Sequence, residues 1–183
     1  MEEFYDEKAV LTTERLILRP LQVEDSSAIF RNIYHDKEVL RYYLAPYKEK
    51  ETDVDLSGMI ERSRNKGIYV FAIVIKESGE VIGLINQFGE YDSKGNSIEL
   101  GYAISSRYWN KGYATEALQE MCRFLFGKGI AMIRCGAIKE NTQSIRVMQK
   151  SGMKYECTRP DEIIHHDRSW DVEYYYLTEE MFP

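Results

Sequence analysis

The chain has 183 residues, of which 44% are hydrophobic and 30% charged, and its formal net charge is −6. This is the balance of one soluble globular domain; it excludes a disordered or fibrous chain and argues against a general nucleic-acid binder, which needs a basic surplus. The longest apolar run, 68–75, is too short to span a bilayer, and the acidic first residues fit neither a signal nor a transit peptide. Three cysteines outside any C-x-x-C pair indicate a reducing, cytoplasmic location rather than a zinc ribbon or a disulfide scaffold.

The charges are unevenly distributed along the chain. Residues 105–154 carry nine Lys or Arg against three Glu, whereas residues 160–183 carry seven acids and one Arg. This division fits an anionic ligand on the basic middle and a cationic ligand near the acidic end. It fits equally well two solvated faces whose charges happen to cluster, and composition leaves both interpretations open.

The first half of the chain predicts a strand, two helices and three further strands. Alternating apolar residues that stop at a proline indicate the first strand, and the pair Asp25-Ser26 can cap the first helix. A turn around Gly79 joins two β-branched and aromatic runs into a hairpin. In chain order the predicted elements are a strand over 12–19, a helix from Asp25–Ser26, a helix over 51–65, and strands over 69–76, 81–88 and 97–105.

The second half predicts the most regular helix of the chain, 115–126, whose apolar residues recur on one face every three or four positions. Asn141 opens a short helix that Gly152 closes. The remaining predicted elements are a strand over 131–138 and an antiparallel pair, 155–159 and 170–177, around a polar loop. The whole order, β-α-α-β-β-β-α-β-α-β-β, predicts one α/β domain with a single mixed sheet.

The loop before the 115–126 helix carries the most informative pattern. It combines Gly112, which lets the backbone approach a ligand, with the free N–H groups of a helix start and two cations, Arg107 and Lys111. Those are the parts of a phosphate cradle. Neither a Walker loop nor a Rossmann fingerprint is present. An ordinary strand–helix connection would also fit this pattern.

The same loop resembles a known family. Arg107-x-x-Asn110-x-Gly112-x-Ala114 resembles the Q/R-x-x-G-x-G/A coenzyme A signature of the GNAT superfamily of N-acetyltransferases. The sequence of residues 108–117 is similar to that of its Rim-like branch, which includes ribosomal-protein N-terminal acetyltransferases. Further similar blocks follow in the expected order over residues 12–178, at 13–20, 81–85, 99–104 and 141–152. The chain departs from the family pattern at Asn110, which replaces the first glycine, and at Met148, where many members carry a tyrosine that serves as general acid.

The resemblance implies a single GNAT-type domain over 1–183. Its mixed, mostly antiparallel, twisted sheet is flanked by helices and splayed between the fourth and fifth predicted strands, 97–105 and 131–138. The implied activity is transfer of an acetyl group from acetyl-CoA to a primary amine, either a protein N-terminal α-amine or a small amine, by direct attack and without a metal. The alternative is a regulatory or sensor protein that binds acetyl-CoA with little catalysis. No nucleic-acid or membrane partner is expected, and many members of the family form homodimers.

The resemblance also assigns a cofactor site. The backbone of Asn110 to Thr115 would meet the pyrophosphate, and the splayed strand edge at Tyr102–Ile104 would pair with the amides of the pantetheine arm. Asn141 contacts this arm in the family, although it is equally suited to be the N-cap of the following helix. The predicted cofactor residues are Tyr102, Ala103, Ile104, Arg107, Asn110, Lys111, Gly112, Tyr113, Ala114, Thr115 and Asn141.

The catalytic residues follow from what the reaction requires. An amine must lose a proton before it attacks, and Glu99 lies where several family members place a catalytic glutamate, so it is the predicted base. A solvent-facing strand glutamate is the alternative. The departing thiolate has an intrinsic pKa of about 8.5 and needs only a modest acid. Ser144 and Tyr102 are the candidates for that acid.

Several other patterns admit a structural explanation. His165 and His166 could ligate a metal, but without a third ligand at a suitable spacing a polar loop is favoured. Cys122 and Cys135 fall on apolar positions and are predicted to be core residues, and Trp109 is predicted to pack beside the cofactor loop. Tyr174–Tyr176 is predicted to be a strand with alternating buried and exposed rings. Five acids near the final hairpin would either attract a cationic amine or be solvated loop residues; they are Asp161, Glu162, Asp167, Asp171 and Glu173.

Overall fold

The computed structural model describes residues 6–94 and 96–182. They form one eight-stranded sheet in the order β1-β2-β3-β4-β5-β6-β8-β7, and neighbouring strands are antiparallel except for the parallel pair β5–β6. The strands are β1 Leu11–Thr12, β2 Leu16–Pro20, β3 Val70–Ile75, β4 Val81–Asp92, β5 Ser97–Ile104, β6 Met132–Ile138, β7 Lys154–His165 and β8 Arg168–Thr178. The helices are α1 Ser26–Ile29, α2 Lys37–Leu40, α3 Leu56–Lys66, α4 Tyr113–Gly127 and α5 Thr142–Lys150.

Helices cover both faces of the sheet, as predicted. On β3, Phe71 and Ile73 join the hydrophobic cluster that includes α4 and α5, while Ala72 and Val74 join the cluster that includes α1, α2 and α3. This division follows from the strand itself, because successive side chains point to opposite faces. Cys122 and Cys135 are buried in the first cluster, as predicted for core residues, and all three cysteines are free thiols.

The N-terminal strand differs from its prediction. The predicted single strand over 12–19 is a short antiparallel pair, β1 and β2, with Leu11 opposite Leu18. The turn between them is fixed by Thr13, whose hydroxyl accepts from the Leu16 N–H at 2.8 Å. A hydroxyl that bonds its own backbone favours a turn over a continuous strand.

The first helical region also differs in its caps. The Asp25 side chain does not cap α1; it pairs with Arg19 at 2.7 Å and accepts from the Gln22 N–H at 2.9 Å. α1 continues into a π-helical turn over Phe30–Tyr34, and the sequence analysis missed α2, which Asp36 caps.

The predicted helix over 51–65 begins later than expected. Residues 51–53 form a separate 3-10 turn, and the helix α3 starts after Asp55, whose carboxylate accepts from the Gly58 N–H at 2.9 Å. It ends at Gly67, which has the left-handed φ of +63° that suits a glycine at this position.

The final hairpin is longer than predicted. β7 and β8 pair out to His165 and Arg168, so the predicted polar loop between residues 159 and 170 is wrong. The turn is His166-Asp167, with φ values of +53° and +56°, which match the right-handed twist of a tight hairpin. β7 is an edge strand with mostly exposed side chains, and this exposure explains the polar sequence that resembled a loop.

The predicted splay is confirmed between β5 and β6. Their parallel pairing ends at Leu100 and Cys135, after which β5 stays paired with β4 and β6 with β8. The two strands therefore diverge over residues 101–104 and 136–138. None of the helices formed by the described residues has both the length and the apolar character needed to cross a bilayer.

Candidate functional site

A cavity of about 390 Å³ opens where β5 and β6 diverge. Residues 101–104 of β5 and 136–138 of β6 form its two diverging walls, and the start of α4 and one side of α5 also line it. The segment from Val39 to Leu44 and the inner side of the β7–β8 hairpin complete the wall. A cavity of this size is in the range of small-molecule sites.

The β5 edge presents backbone groups to this cavity. Because the Ser105 N–H donates to the Ile82 carbonyl of β4, strand alternation directs the backbone groups of Tyr102 and Ile104 away from β4 and into the opening. The Ile104 carbonyl already accepts from Trp109 Nε1 at 2.7 Å. Trp109 therefore packs beside the loop, as predicted, and Tyr102 provides the part of the edge that is open to a ligand.

The loop 107–112 turns sharply into α4. Asn110 and Gly112 both have left-handed backbone conformations, with φ of +61° and +82°. Asparagine adopts this region more readily than most residues, so the departure from the family signature at Asn110 is tolerated. The Glu116 N–H bonds the Gly112 carbonyl at 3.0 Å. The three N–H groups of 113–115 precede it in the helix and have no intrahelical acceptor, and all three residues line the cavity.

Arg15 braces this loop and was missed by the sequence analysis. Its Nη1 donates to the Lys111 carbonyl at 2.9 Å, and its Nε donates to Glu116 Oε2 at 2.7 Å. The guanidinium also lies 4.6 Å from the centre of the Tyr113 ring. Arg15 belongs to a block that matched the family pattern, but nothing local links it to a loop about a hundred residues later in the chain.

The two cations predicted for the phosphate cradle are not on the cavity wall. Arg107 donates to Asn32 Oδ1 at 2.6 Å and lies 3.9 Å from Glu80, because these two partners draw its guanidinium away from the loop. The Lys111 ammonium lies 5.0 Å from the centre of the Tyr108 ring. Neither side chain lines the cavity.

Two other cations line the cavity, Arg146 and Lys150 on α5. They are four residues apart and therefore share one side of the helix. No hydrogen bond or ion pair joins either side chain to another residue in the described part of the chain. The basic pair at this spacing after Asn141 is the sequence signal that could have identified them.

α5 positions both Asn141 and Ser144. Asn141 is the N-cap of α5, which confirms one of its two predicted roles, and its Oδ1 accepts from the Ser144 N–H at 3.2 Å. The Tyr102 hydroxyl donates to the Ser144 carbonyl at 3.0 Å and lies 2.9 Å from its Oγ. Burial strongly raises the pKa of Tyr102, so its hydroxyl stays protonated. Met148 is fully buried and carries no hydroxyl, so that position offers the cavity no proton donor.

Glu99 lies on the cavity wall, opposite Phe88 of β4 and Arg134 of β6 in the sheet register. Burial raises its pKa, and the positive charges of Arg159 and Arg134 partly offset this effect. Its carboxylate makes no hydrogen bond or ion pair with any other residue that the structure describes. Glu99 is therefore a half-buried, unpaired carboxylate inside the cavity, not a solvent-facing strand residue.

Of the two interpretations of the acidic residues in the final hairpin, the structure favours residues outside the cavity over a site that attracts a cationic amine. Glu162 pairs with Arg159 at 3.1 Å, and Asp171 pairs with Lys139 at 3.7 Å. The hairpin instead turns apolar and aromatic side chains towards the cavity, and Glu99 is the one acidic residue of the wall within residues 6–94 and 96–182 whose side chains the structure describes. The acids that lie outside the wall are Asp161, Glu162, Asp167, Asp171 and Glu173.

His165 and His166 connect the hairpin to the last residue of α2. Their Nε2 atoms lie 3.0 and 3.2 Å from the Leu40 carbonyl. No group of three or more His, Cys, Asp or Glu side chains is placed to hold a metal ion within residues 6–94 and 96–182.

Comparison with known proteins identifies the family. The model of the acetyltransferase (GNAT) domain matches residues 15–154. The chain belongs to the GNAT family. The uncharacterized N-acetyltransferase p20 of Bacillus licheniformis is 31% identical over 149 residues, which cover 80% of this chain and 83% of that protein. The GNAT-family acetyltransferase of Bacillus anthracis has a crystal structure that superposes with a TM-score of 0.81 at 28% identity, covering 94% of this chain and 99% of that one. This GNAT protein is therefore an N-acetyltransferase enzyme.

Two more distant structures share the fold. The Microcin C7 self immunity acetyltransferase MccE, solved in complex with acetyl-CoA and AMP, has a TM-score of 0.80 at 17% identity and covers 91% of this chain and 93% of that one. The ribosomal-protein-S5-alanine acetyltransferase of Vibrio fischeri has a TM-score of 0.81 at 15% identity and covers 96% of this chain and the full length of that one. At these identities the similarity shows the fold alone.

Proposed function

We propose that this GNAT enzyme moves an acetyl group from acetyl-CoA to a primary amine, a protein N-terminal α-amine or a small amine, with Glu99 as the general base. The observation that carries the proposal is the Glu99 carboxylate, which lines the cavity without a partner and has a pKa raised by burial. A base works best when its pKa approaches the working pH, and a carboxylate reaches that range through burial.

The cofactor half of the cavity comprises residues 101–104, 110, 112–115 and the inner side of α5, and it fits the chemistry of coenzyme A. Its phosphates would meet the free N–H groups of 113–115 at the positive end of the α4 dipole. Arg146 and Lys150 add unpaired positive charge on the same wall. Tyr102 and Asn141 would contact the pantetheine arm, the former through its open backbone edge. MccE, which shares this fold, was solved with acetyl-CoA.

When bound, acetyl-CoA supplies a thioester carbonyl as the electrophile. Glu99 takes one proton from the amine, directly or through water, and passes it to solvent. The amine nitrogen then forms a bond to the acetyl carbon, the carbon–sulfur bond breaks, and its electron pair leaves with the sulfur. The nitrogen loses a second proton as the amide forms, and the thiolate takes up one proton, so an ammonium and acetyl-CoA give the amide, the CoA thiol and one proton released to solvent. Direct attack needs no nucleophile from the protein.

The thiolate leaves near Ser144 and Tyr102. Ser144 Oγ and the Tyr102 hydroxyl are hydrogen-bonded to each other and line the cavity, so together they would stabilise the sulfur and deliver its proton. The raised pKa of Tyr102 makes it a weak acid. Because a thiol has a pKa of about 8.5, the leaving group needs only this modest help. Met148 gives this chain no alternative donor at that position.

The finer placement within the family also belongs to this proposal. The sequence of residues 108–117 supports membership of the Rim-like branch, and the shared fold with a ribosomal-protein acetyltransferase is consistent with it. Three free cysteines are consistent with the cytoplasmic location predicted from the sequence. The homodimer stays a prediction.

Two measurements on the purified chain test this function. Acetyl-CoA is expected to raise the thermal midpoint, because a ligand that binds the folded state stabilises it. Free thiol is expected to appear when acetyl-CoA is mixed with a panel of small amines and of peptides with different N-termini. Stabilisation without thiol release from any amine would contradict catalysis, and absence of stabilisation would contradict the cofactor assignment.

A further inference from the structure

The remainder of the cavity wall differs in chemistry from the cofactor half. We call it the acceptor half; apart from Glu99, the described residues of this half are aromatic and aliphatic, with no lysine or arginine among them. Its large apolar side chains come mainly from three separate parts of the chain, residues 39–44, β4 and the β7–β8 hairpin, and Glu99 lies on β5 between them. They include Tyr42, Tyr43, Leu44, Phe88, Ile163 and Tyr174.

Two glycines allow aromatic rings to lie over β5, the strand that carries Glu99, and over the neighbouring β6. A Cβ on Gly101 of β5 would come within 1.8 Å of Phe88 Cε2, so the Phe88 ring occupies the space of the missing side chain. A Cβ on Gly136 of β6 would come within 2.9 Å of Tyr174 Cε1. Gly101 follows Glu99 by two residues and lies on the same face of β5. The Phe88 ring therefore lies over the face of β5 that carries Glu99.

This wall presents apolar surface that the protein does not cover. Phe88 is 42% exposed and Leu44 is 49% exposed, and both line the cavity. Apolar side chains that point into a concave site are a typical feature of a pocket for an apolar ligand. Tyr43 lines the same wall, and its hydroxyl has no hydrogen-bond partner among the residues that the structure describes.

The charge on this wall suits one cation only. Among the described residues Glu99 is its single carboxylate, and two nearby bases, Arg134 and Arg159, each pair with a glutamate outside the wall. A diamine or polyamine would bring further positive charges into apolar surroundings, where an unpaired charge is costly. One ammonium, which becomes the attacking amine after it loses a proton, matches one carboxylate.

We infer that the acceptor is a monoamine whose amino group is a few bonds from an aromatic or branched apolar group, with the amine at Glu99 and the apolar group against Phe88, Leu44 and Ile163. This inference rests on the proposed acetyl transfer. The distance between amine and apolar group follows from the register, because Phe88 and Glu99 are direct cross-strand partners, whose Cβ atoms lie about 5 Å apart. Either a free arylalkylamine or a peptide that begins with an apolar residue presents this chemistry.

The first experiment measures kcat/KM for matched amines by free thiol release. Phenethylamine and ethanolamine share a two-carbon amine and differ in a phenyl or hydroxyl group, and spermidine adds charge without an apolar body. Phenethylamine is expected to exceed both by roughly tenfold or more, from the burial of one ring. Two tripeptides, beginning with Phe or Ser, distinguish a peptide acceptor from a small amine. Equal or better use of ethanolamine, spermidine or the Ser peptide would overturn the inference.

The second experiment compares neighbouring residues of the hairpin. Ile163 lines the cavity, whereas Ile164 is 81% exposed and does not line it. Ile163→Ala is expected to raise the KM for phenethylamine several-fold while leaving the KM for acetyl-CoA unchanged, and Ile164→Ala is expected to change neither. Phe88→Ala is expected to have a larger effect in the same direction. Equal effects of the two isoleucine variants would contradict the assignment of this wall.

The two proposals fail in distinguishable ways. If no amine in the set releases thiol, the proposed acetyl transfer fails and the acceptor inference fails with it. If ethanolamine or spermidine is acetylated as well as phenethylamine, acetyl transfer stands and the apolar acceptor is wrong. A folded Phe88→Ala protein, checked by its thermal midpoint with acetyl-CoA, ensures that loss of activity reports the amine site.

Discussion

The residues of the cofactor half could be predicted from the sequence far more completely than those of the acceptor half. The cofactor half is built largely from two continuous segments, 101–115 and 141–150, so its loop, helix start and strand edge appear together as motifs. The acceptor half brings together side chains more than a hundred residues apart, such as Leu44 and Tyr174. Backbone recognition of a common cofactor is local, whereas recognition of a variable acceptor is assembled by tertiary packing.

The largest effect is expected from a substitution in the cofactor half that lowers the affinity for acetyl-CoA. Gly112→Val places a β-branched side chain at a φ of +82°, with its Cβ 3.3 Å from the Arg15 guanidinium that braces the loop. The strain is of the order of 1–3 kcal/mol. Acetyl-CoA affinity is expected to fall at least tenfold, as measured by calorimetry.

Gly79→Val is the matched control for that substitution. Gly79 has a φ of +70° in the β3–β4 turn, and a Cβ there would meet no atom within 4 Å. It should carry similar backbone strain and bind acetyl-CoA normally. Equal affinity in the two valine variants would contradict the assignment of the loop to the cofactor.

A smaller effect is expected from the cations of α5. Arg146→Gln and Lys150→Gln should each raise the KM for acetyl-CoA several-fold at low salt, and the effect should shrink as salt screens the charges. Lys154→Gln removes an exposed charge just beyond the helix, outside the cavity wall, and serves as the control. The amine KM should stay constant in all three variants. A rise confined to the KM for the amine would place these cations in the acceptor half and contradict their assignment to the cofactor half.

The Glu99 site should also affect stability. Burial raises the pKa of Glu99 in the folded protein, so above that pKa the charged carboxylate destabilises the fold, and the cost disappears as the pH falls through it. Glu99→Gln should therefore raise the free energy of unfolding at pH 7 by up to about 1 kcal/mol. The gain should decrease in acid, as denaturant titrations at several pH values would show. Glu77→Gln, at an exposed turn, is the control; an equal gain there would contradict the burial argument.

The smallest effect is expected at the hairpin acids. Asp171 lies outside the cavity wall and pairs with Lys139, so Asp171→Asn should leave the KM for both substrates within about twofold at low and moderate salt. Of the two interpretations that the sequence left open, this result would support solvated residues. A several-fold rise in the amine KM would support the other, in which the acidic hairpin attracts the amine.

The sequence predicted most strands and the long helix because each depends on local periodicity, and the family resemblance, which rests on continuous motifs, implied the splay. The binding of the cofactor by the loop stays a prediction. The sequence analysis misjudged the start of β2, where the Thr13 hydroxyl makes a turn, and the length of β7, whose polar residues lie on an exposed edge. Arg15 could not be predicted, because its partners are distant in the chain. The same limit hid the rings of Phe88 and Tyr174, whose positions depend on two glycines in other strands.

The most direct test of this account is the pH dependence of amine acetylation in the wild type and in Glu99→Gln, measured with an amine of high pKa. The variant is expected to lose about a hundredfold in kcat/KM for the amine at pH 7, within the range of general base catalysis. It should recover partly as the pH approaches the pKa of the amine, where free base forms without help, and its KM for acetyl-CoA should not change. A variant that matches the wild type at pH 7 would contradict the assignment of Glu99 as the base.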